Sequence, residues 1–413
     1  MDKDIKKTTF FKALEAFPYE KFQQIVSDSG CDRYIKKAKT LKLFYLMIIS
    51  QFLDRESLRD IAGFVRYDES VREILHLTSI SASTLSRRLK HIKHSVWEET
   101  FSAVKTETWI KAKNKAFGSA NYRLNIIDSS TISLCLSRFL WADFRKTKGG
   151  IKLHQSILVH EGNTYPDHAV LTTARKADKN VMDELIVTAD NVLNVFDRGY
   201  VDYAKWDVYC QHNVRFVSRL KSNASVEVLK ESSNAGSEGL KERIVILGCR
   251  YTTQMAHPLR LIETYDQYGN LVTIVTNDMT LPVEEISNIY RLRWQIEIFF
   301  KWLKQHMVIK KFYGTSPNAV YGQIWLALIG YCLLKSLSEQ LPKKITLFEV
   351  LRAVKVFLFK LFSEMVATIC RGPSRKSCGR SPSIQNEIDG LLREISQKGT
   401  YALDAVDTER MYL

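Results

Sequence analysis

Apolar residues recur with a helical period through the first 115 residues, and the pattern then changes to that of strands. The segments FFKALEAF, LKLFYLMIISQFL and VWEETFSAVKTETWI show the helical period. From residue 122, the runs RLNIIDSSTISL, GIKLHQSILVHEG and TYPDHAVLTTA are bounded by Gly, Asn or Pro and predict three strands. The pattern therefore predicts an all-α domain over residues 1–115, followed by an α/β domain.

The order of elements after these three strands predicts the class of the α/β domain. A helix is predicted over ADKNVMDELIVTA, a strand over NVLNVFD, a second helix over YVDYAKWDVYCQ and a final strand over VRFVSRL. Three strands, helix, strand, helix, strand is the order of the ribonuclease H-like fold, which packs helices on both faces of a mixed sheet. An unrelated α/β topology stays open on this pattern alone.

Residues 221–277 interrupt this order with a polar Ser/Gly-rich stretch and then with new strand candidates. The candidates are ERIVILG, LRLIETYD and LVTIVTN, and DQYGN supplies a hairpin turn. We therefore expect a β-rich insertion at 221–277 inside a catalytic domain at 120–345. Residues 346–413 are predicted to form C-terminal helices and a flexible basic linker, RGPSRKSCGRSP, and are a candidate dimerisation region.

The stretch YRLRWQIEIFFKWLK, residues 290–304, predicts an amphipathic helix with one glutamate among cations. At about 100° per residue, one stripe is apolar and is formed by Leu292, Ile296, Phe299, Phe300 and Leu303. The opposite stripe is formed by Tyr290, Arg293, Trp294, Glu297, Lys301 and Lys304. A solvated face is the alternative interpretation, with Glu297 paired to Arg293 and Lys301 at i±4 spacing.

Charge and composition narrow the class of partner. Sixty Lys/Arg against 45 Asp/Glu give a formal charge of +15, which suits nucleic acid or an acidic membrane surface. The run IWLALIGYCLL is about half the roughly 20 residues that span a bilayer, so we expect a buried core helix and no membrane association. The opening MDKDIKKTTFFKALEAF does not have the pattern of a secretory signal. Seven cysteines without a CxxC pair predict neither zinc nor disulfides and suit a reducing cytosol.

A helix-turn-helix is the candidate DNA-binding motif of the N-terminal segment. The segment SLRDIAGFV is followed by ISASTLSRRLKHIKH, where Ser81 or Ser83 is placed to cap a second helix. That helix would expose Thr84, Arg87, Arg88 and Lys90, and we predict that Arg87 and Arg88 bind DNA. An ordinary capped surface helix is the alternative.

Two predicted strands end on an aspartate, at Asp128 in LNIID and at Asp197 in VLNVFD. A carboxylate among apolar strand residues is costly to bury unless it is paired, hydrogen-bonded or bound to a metal. Together with Glu297, the two aspartates form an oxygen-only ligand set that suits Mg²⁺ or Mn²⁺. Two such ions about 3.5–4 Å apart can activate a water and stabilise the leaving oxygen in phosphodiester cleavage. Cations around Glu297 would then hold DNA phosphates beside the metal site. We therefore predict that Trp294, Lys301 and Lys304 of this stripe bind DNA.

These residues resemble the signature of the insertion-sequence-four family of DDE transposases. Tyr290, Arg293, Glu297 and Lys304 fit the spacing Y-x2-R-x3-E-x6-K, and DRGY at 197–200 is similar to the second-aspartate motif of that family. IIDSSTISL is similar to the first-aspartate strand, and FRKTKGGIKLH to the segment that follows it. The resemblance covers residues 122 to 335, and the N-terminal hundred residues resemble a helical leader found on some members.

The resemblance implies a site, a reaction and partners. It implies that Asp128, Asp197 and Glu297 are catalytic residues that bind two Mg²⁺ or Mn²⁺ ions, and that Tyr290, Arg293 and Lys304 contact phosphates near the transposon end. It also implies cut-and-paste transposition of an insertion sequence, with double-stranded terminal inverted repeats and target DNA as partners. Synapsis implies a homodimer, and the setting implied is the bacterial cytoplasm, in association with the nucleoid.

One departure from the family concerns the hairpin step, and two other functions stay open. Members that form a DNA hairpin use a tryptophan of the insertion, but no Trp occurs here between residues 207 and 293. Tyr251, Tyr265 or Tyr268 could stack on a base in its place. The alternatives to a transposase are a ribonuclease H-like nuclease or resolvase without strand transfer and a transposase-derived DNA-binding protein that has lost catalysis.

Overall fold

The computed structural model describes residues 5–113, 122–145, 148–160, 163–231, 241–251, 253–265 and 269–371. Residues up to Met365 belong to one compact unit, and a second unit begins at Val366. Of the second unit, only residues 366–371 are described. The predicted tail IQNEIDGLLREIS and nearly all of the predicted basic linker lie outside the described residues.

The N-terminal segment is helical, as its apolar period predicted. In the described part of this segment, every α-helix buries apolar residues on at least one side. The helices are α1 (Thr9–Ala13), α2 (Tyr19–Ser29), α3 (Thr40–Phe52), α4 (Leu58–Tyr67), α5 (Glu69–Leu75), α6 (Ala82–His91) and α7 (His94–Lys113).

The predicted helix-turn-helix was wrong in its connection. Helices α4 and α6 correspond to the two predicted helices, and Ser81 caps α6 by accepting a hydrogen bond from the Thr84 backbone N–H at 3.2 Å. Helix α5 lies between them, so α4 and α6 are not joined by the turn of three or four residues that defines the motif. Asp68 explains the extra helix, because its side chain accepts from the Val71 backbone N–H and caps α5.

Ten strands form one mixed sheet in the described part of the chain. Their order is β2-β3-β1-β5-β6-β10-β9-β8-β7, and β4 pairs with β3. The pairs β1–β5 and β5–β6 are parallel, and the other pairs are antiparallel. The strands are β1 (Arg123–Leu134), β2 (Asp143–Arg145), β3 (Lys148–His160), β4 (Asn163–Thr173), β5 (Val192–Phe196), β6 (Phe216–Arg219), β7 (Val226–Glu231), β8 (Lys241–Leu247), β9 (Leu259–Tyr265) and β10 (Leu271–Thr276).

The region predicted as an insertion is rich in strands and continues this sheet. Strand β10 pairs antiparallel with β6, with Val275 opposite Ser218. Strands β9, β8 and β7 then follow in order towards the edge. The same hydrogen-bonded layer therefore holds the two aspartate-bearing strands and the four strands of residues 221–277.

The helix predicted over residues 177–189 was wrong, because only two 3₁₀ turns occur there, at Asp178–Asn180 and Met182–Glu184. Buried asparagines on the neighbouring strands bind the backbone that a helix would need. Asn125 donates to the Leu185 carbonyl at 3.0 Å, and Asn194 both donates to and accepts from the Val187 backbone at 3.0 Å. These bonds take up backbone groups that would otherwise pair within a helix.

The remaining helices follow β5 and cover the sheet and the N-terminal helices. They are α8 (Tyr203–Gln211), α9 (Val283–Leu292), α10 (Trp294–His306), α11 (Pro317–Ser338), α12 (Leu347–Phe357) and α13 (Phe362–Cys370). Among the described helices, α11 alone is long and apolar enough to cross a membrane, and 89% of its apolar window is buried inside the protein. It is thus the core helix that the run IWLALIGYCLL predicted.

The N-terminal helices share a core with helices from the end of the chain. Helix α11 packs against α3, α6 and α7. The Gln51 side chain of α3 accepts from the Val308 backbone N–H at 2.7 Å, and the Phe10 backbone N–H of α1 donates to the Leu358 carbonyl at 2.9 Å. The contacts unite these segments into one compact unit up to Met365. The predicted division into three domains, with bounds near residues 115 and 345, therefore stays a prediction about which segment performs which function.

Candidate active site

Asp128 and Asp197 lie on adjacent parallel strands, as expected from the sequence. Strand β1 pairs with β5 so that Ile127 is opposite Phe196, and each aspartate is the next residue along its strand direction. Ile127 and Phe196 both enter the apolar cluster around Trp206 on one face of the sheet. Because side chains alternate across a strand, Asp128 points to the other face, where α10 packs on β1.

Glu297 comes from the helical region that was predicted to be one helix from 290 to 304. The structure divides this region into α9 and α10, with Arg293 between them in α-helical dihedrals. The Ile296 backbone N–H donates to the Arg293 carbonyl, which is a three-residue spacing that tightens the helix at this point. The apolar stripe is buried at Ile296, Phe299, Phe300 and Leu303, whereas Leu292 is exposed, which corrects its predicted place in the core.

Arg293 joins two of the three carboxylates. Its guanidinium donates to Glu297 Oε1 at 2.7 Å and to Asp128 Oδ2 at 3.3 Å. The residue is only 8% exposed, so its charge faces the carboxylates and not the solvent. Tyr290 lies beside the same guanidinium, with its ring centroid 6.0 Å from the Arg293 side chain. Arg293 thus links Asp128 to Glu297 within the carboxylate cluster, which is formed by Asp128, Asp197 and Glu297.

The electrostatics of the cluster reflect burial and like charge. Burial raises the pKa of Asp128 to about 7, and the nearby Asp197 and Glu297 add to the rise, although Arg293 and the Ser129 backbone N–H oppose it. Burial also raises the pKa of Glu297, with Arg293 opposing and Asp197 adding to the rise. Burial lowers the pKa of Arg293, but Tyr290 and the three carboxylates outweigh it and raise that pKa overall. For both Asp128 and Glu297, burial is a larger cause of the raised pKa than the like charge of the neighbouring carboxylates.

A second polar group supports Asp128, and sequence reasoning missed it. Asp178 Oδ1 accepts from the Ser129 hydroxyl at 2.7 Å and from Lys152 Nζ at 3.2 Å, and His154 Nδ1 lies 3.3 Å away. The Ser129 backbone N–H donates to Asp128 Oδ1 at 2.7 Å, so the group is linked directly to the first aspartate.

The environment of Asp178 favours its ionised form. Burial alone would raise its pKa, but His154, Ser129 and Lys152 outweigh burial and hold the pKa of Asp178 at about 2. The residues of this group are found in two short sequence segments. Lys152 and His154 occupy alternate positions of one strand in IKLH, and Asp178 lies in ADK. Only the three-dimensional fold brings Asp178 to them.

The other residues predicted to bind DNA on this helical region differ in exposure. Trp294 is 38% exposed and lies over the Arg293 guanidinium at 5.4 Å, so part of its ring faces solvent. Lys301 and Lys304 are half-buried. Tyr290 is half-buried, and burial raises its pKa. Trp294 and Lys304 are therefore the residues of this stripe that can meet a partner without a rearrangement of the carboxylate cluster, whereas the Nζ atom of Lys301 is buried.

The two N-terminal arginines have different roles. Arg87 is exposed on α6, as predicted for a DNA contact. Arg88 is only 6% exposed, and its guanidinium donates to the Ala38 and Cys31 carbonyls, to Asp32 and to the Thr40 hydroxyl. The prediction that Arg88 binds DNA was therefore wrong, because all of these bonds hold the protein's own backbone and side chains.

The carboxylate cluster has the donor chemistry of a site for a hard divalent cation. Within the described part of the chain, Glu297 Oε2 is buried and accepts no hydrogen bond. Among the described residues, however, no three His, Cys, Asp or Glu side chains are already arranged around one point, and Arg293 supplies the positive charge instead. The oxygen-only set and the unused acceptor of Glu297 fit Mg²⁺ or Mn²⁺.

Comparison with known families decides what kind of protein carries this site. Residues 119–333, just over half of the 413-residue chain, match the family described as the transposase DDE domain. The chain belongs to the DDE transposase family. Residues 5–71 of this transposase match a second family, a domain of unknown function named DUF4372, which corresponds to the helical leader.

Relatives of known sequence place this DDE transposase among those of insertion sequences. The chain is 28% identical over 284 residues to the "Probable transposase for insertion sequence element IS5377" of Geobacillus stearothermophilus, which is 68% of this chain and 73% of that protein. It is 23% identical over 180 residues to the transposase InsG for insertion sequence element IS4 of Escherichia coli K12, or 40% of each chain. These matches agree with the family that the four-residue signature indicated.

A solved structure resembles this transposase more distantly. The piggyBac transposase in a synaptic complex with hairpin DNA aligns over 94% of this chain and 90% of its own, with a TM-score of 0.43 and 11% sequence identity. The family assignment does not depend on this likeness.

Proposed function

We propose that this transposase cuts the ends of its insertion sequence and joins them to target DNA with Asp128, Asp197 and Glu297 as the catalytic carboxylates. The observation that supports the proposal most directly is their convergence. Arg293 pairs with Asp128 and with Glu297 on a packed helix, although 169 residues separate these two carboxylates, and Asp197 on the adjacent parallel strand is near enough to raise the pKa of both.

The strand order supports a ribonuclease H-like core for this chemistry. Strands β3, β1, β5 and β6 lie side by side in the order expected for that fold, with β4 paired to β3 and α8 between β5 and β6. The carboxylates then lie near the carboxyl end of β5 and midway along β1, where a substrate can approach from the α10 side. The proposed core extends through the strands of residues 221–277.

The proposed cofactor is a pair of Mg²⁺ or Mn²⁺ ions held by Asp128, Asp197 and Glu297. Bound there, such ions supply the Lewis-acid chemistry of in-line phosphodiester cleavage and transesterification. The protein's own contribution is to hold the three carboxylates on rigid elements and to keep them together with Arg293. Ser129, the next residue on β1, positions the Asp128 carboxylate, and Asp178 in the 3₁₀ turn holds the Ser129 hydroxyl.

The proposed DNA contacts divide between the active site and the N-terminal helices. Lys304 on α10 binds phosphates near the scissile bond, with the exposed part of Trp294 beside it, and Lys301 adds its positive charge from a buried position. Tyr290 and Arg293 act from within the cluster and orient the carboxylates. Tyr251, at 95% exposed, is placed to stack on a base in a hairpin step, whereas Tyr268 lies outside the described residues.

We further propose that the active assembly is a homodimer on two double-stranded transposon ends in the bacterial cytoplasm, associated with the nucleoid. The net charge of +15 favours association with DNA. The candidate dimerisation region is 346–413, of which α12 and α13 are described.

A nuclease or resolvase on the same fold is the alternative function, and a strand-transfer assay separates the two. A labelled duplex that carries the inverted repeat flanking the gene is incubated with a supercoiled target plasmid in Mg²⁺. A transposase links the label covalently to the plasmid, whereas a nuclease only shortens the duplex. Cleaved ends without labelled plasmid would overturn the proposal of strand transfer, and an uncut duplex would favour a catalytically inactive DNA-binding protein.

A further inference from the structure

A basic cleft lies between α6 and the loop that joins α2 to α3. Its volume is about 710 Å³, and its lining comes only from residues between 29 and 96. One wall is the loop of residues 29–38, and the other is α6 with the residues that follow it. The cleft is thus built within the N-terminal helical segment and uses none of the catalytic carboxylates.

Exposed cations line both walls of this cleft. The loop contributes Arg33, Lys36 and Lys37, and the helical wall contributes Arg87 and Lys93. His91 adds a sixth basic side chain. Among the described residues that line the cleft, none is acidic, and none of the five cations forms an ion pair within the described part of the chain. Such a concentration of like charge favours a polyanion in the cleft.

Arg88 fixes the two walls relative to each other. It belongs to α6, yet its guanidinium donates to the Cys31 and Ala38 carbonyls, one at each end of the loop wall. It also pairs with Asp32 at 2.8 Å, and Asp32 in turn accepts from the Thr40 backbone N–H. The cleft is therefore preorganised, so its cations are held apart at fixed positions before any partner binds.

An unusual aromatic residue stands at the edge of the cleft. Tyr34 is 88% exposed and has a φ of 63°, in the left-handed region that side chains other than glycine and asparagine seldom adopt. The Arg33 side chain lies over its ring at 5.3 Å. A strained backbone that presents a large ring to solvent indicates a contact with a partner.

We propose that this cleft binds the phosphate backbone of duplex DNA, with Tyr34 against the sugars at its edge. The inference rests on the proposed function, because DNA is the polyanion on which the transposase acts. It assigns the DNA contact of the N-terminal segment to residues 33–37 and 87–93, in place of the helix-turn-helix predicted at 60–94. Arg88 is a positioning residue in this cleft and does not touch the DNA.

Point variants test the cleft in the full-length protein. The variant Lys36→Ala/Arg87→Ala removes one cation from each wall, and Lys343→Ala/Lys344→Ala removes the same charge from an exposed loop elsewhere. Binding to the flanking inverted-repeat duplex is measured by fluorescence anisotropy at several salt concentrations in EDTA. We expect the slope of log K against log salt to fall by about 1.8 for the cleft variant, because each lost phosphate contact contributes about 0.9. The control should keep the wild-type slope.

The outcomes separate the cleft from the proposed function. A cleft variant that binds with the wild-type slope, while the wild type binds and cleaves the duplex, overturns the cleft and leaves the transposase activity intact. A wild-type protein that binds no duplex at all overturns both. Equal loss in the cleft and control variants would show that only total charge matters and would also overturn the cleft.

Tyr34 gives a second readout that does not depend on charge. Tyr34→Ala should weaken binding of the duplex about tenfold without changing the salt slope, since the loss of an uncharged ring contact releases no counterion. Tyr67→Ala is the matched control, because Tyr67 is also an exposed tyrosine, at 78%. If the two variants bound equally well, Tyr34 would not belong to the DNA contact.

Discussion

Arg293 and Glu297 form an ion pair between a buried guanidinium and a half-buried carboxylate, with the guanidinium donating to Oε1 at 2.7 Å one helical turn away. Because Arg293 also pairs with the half-buried Asp128, its removal leaves two carboxylates without their counter-charge. Arg293→Ala should therefore lower the free energy of unfolding by about 3–5 kcal/mol, which urea denaturation measures. Arg293→Lys should restore part of the lost free energy of unfolding, because it keeps the charge. It should not restore the simultaneous bonds to both carboxylates, which need the guanidinium.

Arg293 and Lys304 should differ in their effect on DNA affinity. Lys304→Ala removes a half-buried cation from the proposed phosphate surface, so the salt slope of duplex binding should fall by about 0.9. Arg293→Ala should leave that slope unchanged in the folded fraction, because Arg293 faces the carboxylates. A slope reduced equally by both variants would show that Arg293 turns outwards to contact DNA.

Asp178 should influence cleavage through Ser129 and Asp128. Asp178→Asn removes the charge that holds Ser129 and Lys152, so the cleavage rate constant should fall about 10- to 100-fold while duplex binding stays at the wild-type level. Asp178→Glu should restore part of the rate. Asp143→Asn is the control, since Asp143 is exposed and its ion pair within the described part of the chain is with the exposed Arg175. A parallel loss of binding and cleavage would indicate general unfolding instead.

Two glycine variants test the packing of the N-terminal helices on α11. A Cβ at Gly322 would lie 2.9 Å from Cδ1 of the buried Trp97, so Gly322→Ala should destabilise the protein by about 1–3 kcal/mol. Gly63 lies within α4, where a Cβ meets nothing within 4 Å. Gly63→Ala should therefore stabilise it by about 0.5–1 kcal/mol. Thermal unfolding that moved in the same direction for both variants would contradict this packing.

His306 should make stability depend on pH. Burial lowers its pKa to about 4, and Lys355 lowers it further while Asp54 opposes the change. Above pH 6.5, His306 is neutral in both the folded and the unfolded chain, and its contribution to the free energy of unfolding is fully present. As pH falls from 6.5 towards 4, the unfolded chain takes up the proton first, so stability is lost across that window. His306→Gln should flatten the decline between pH 6.5 and 4, as measured by urea denaturation; an unchanged decline would assign it to other groups.

The sequence was sufficient for the parts of the site that depend on local pattern. The runs LNIID and VLNVFD have apolar residues before an aspartate, which predicted two buried strands and their ends. The spacing of Tyr290, Arg293 and Glu297 predicted one helical face, and Arg293 and Glu297 do pair across it. Their assembly with Asp128 could be expected only from the resemblance to a family, because no local pattern relates residues so far apart.

The helix-turn-helix error was local, because Asp68 caps the unexpected helix α5 three residues away, whereas the other errors arose where side chains from elsewhere in the chain form the deciding bonds. Asn125 and Asn194 take up the backbone of residues 185–187 and replace a predicted helix by turns. Arg88 has the spacing of a surface cation, but the loop of residues 31–40 folds over it and buries it. Asp178 was missed because it lies in a 3₁₀ turn and its partners lie on β1 and β3. Apart from the bonds between Asn194 and Val187, these deciding hydrogen bonds join residues far apart in sequence.

The central claim, that Glu297 belongs to the catalytic carboxylates, is tested most directly by Glu297→Gln. Gln keeps the size and the Oε1 acceptor for Arg293 but loses the charge of a metal ligand. Single-turnover cleavage of the flanking inverted-repeat duplex in Mg²⁺ is compared with binding of the same duplex in EDTA. We expect wild-type binding and a cleavage rate lower by several orders of magnitude. Normal cleavage by Glu297→Gln would show that Glu297 is not a catalytic carboxylate and is only the ion-pair partner of Arg293.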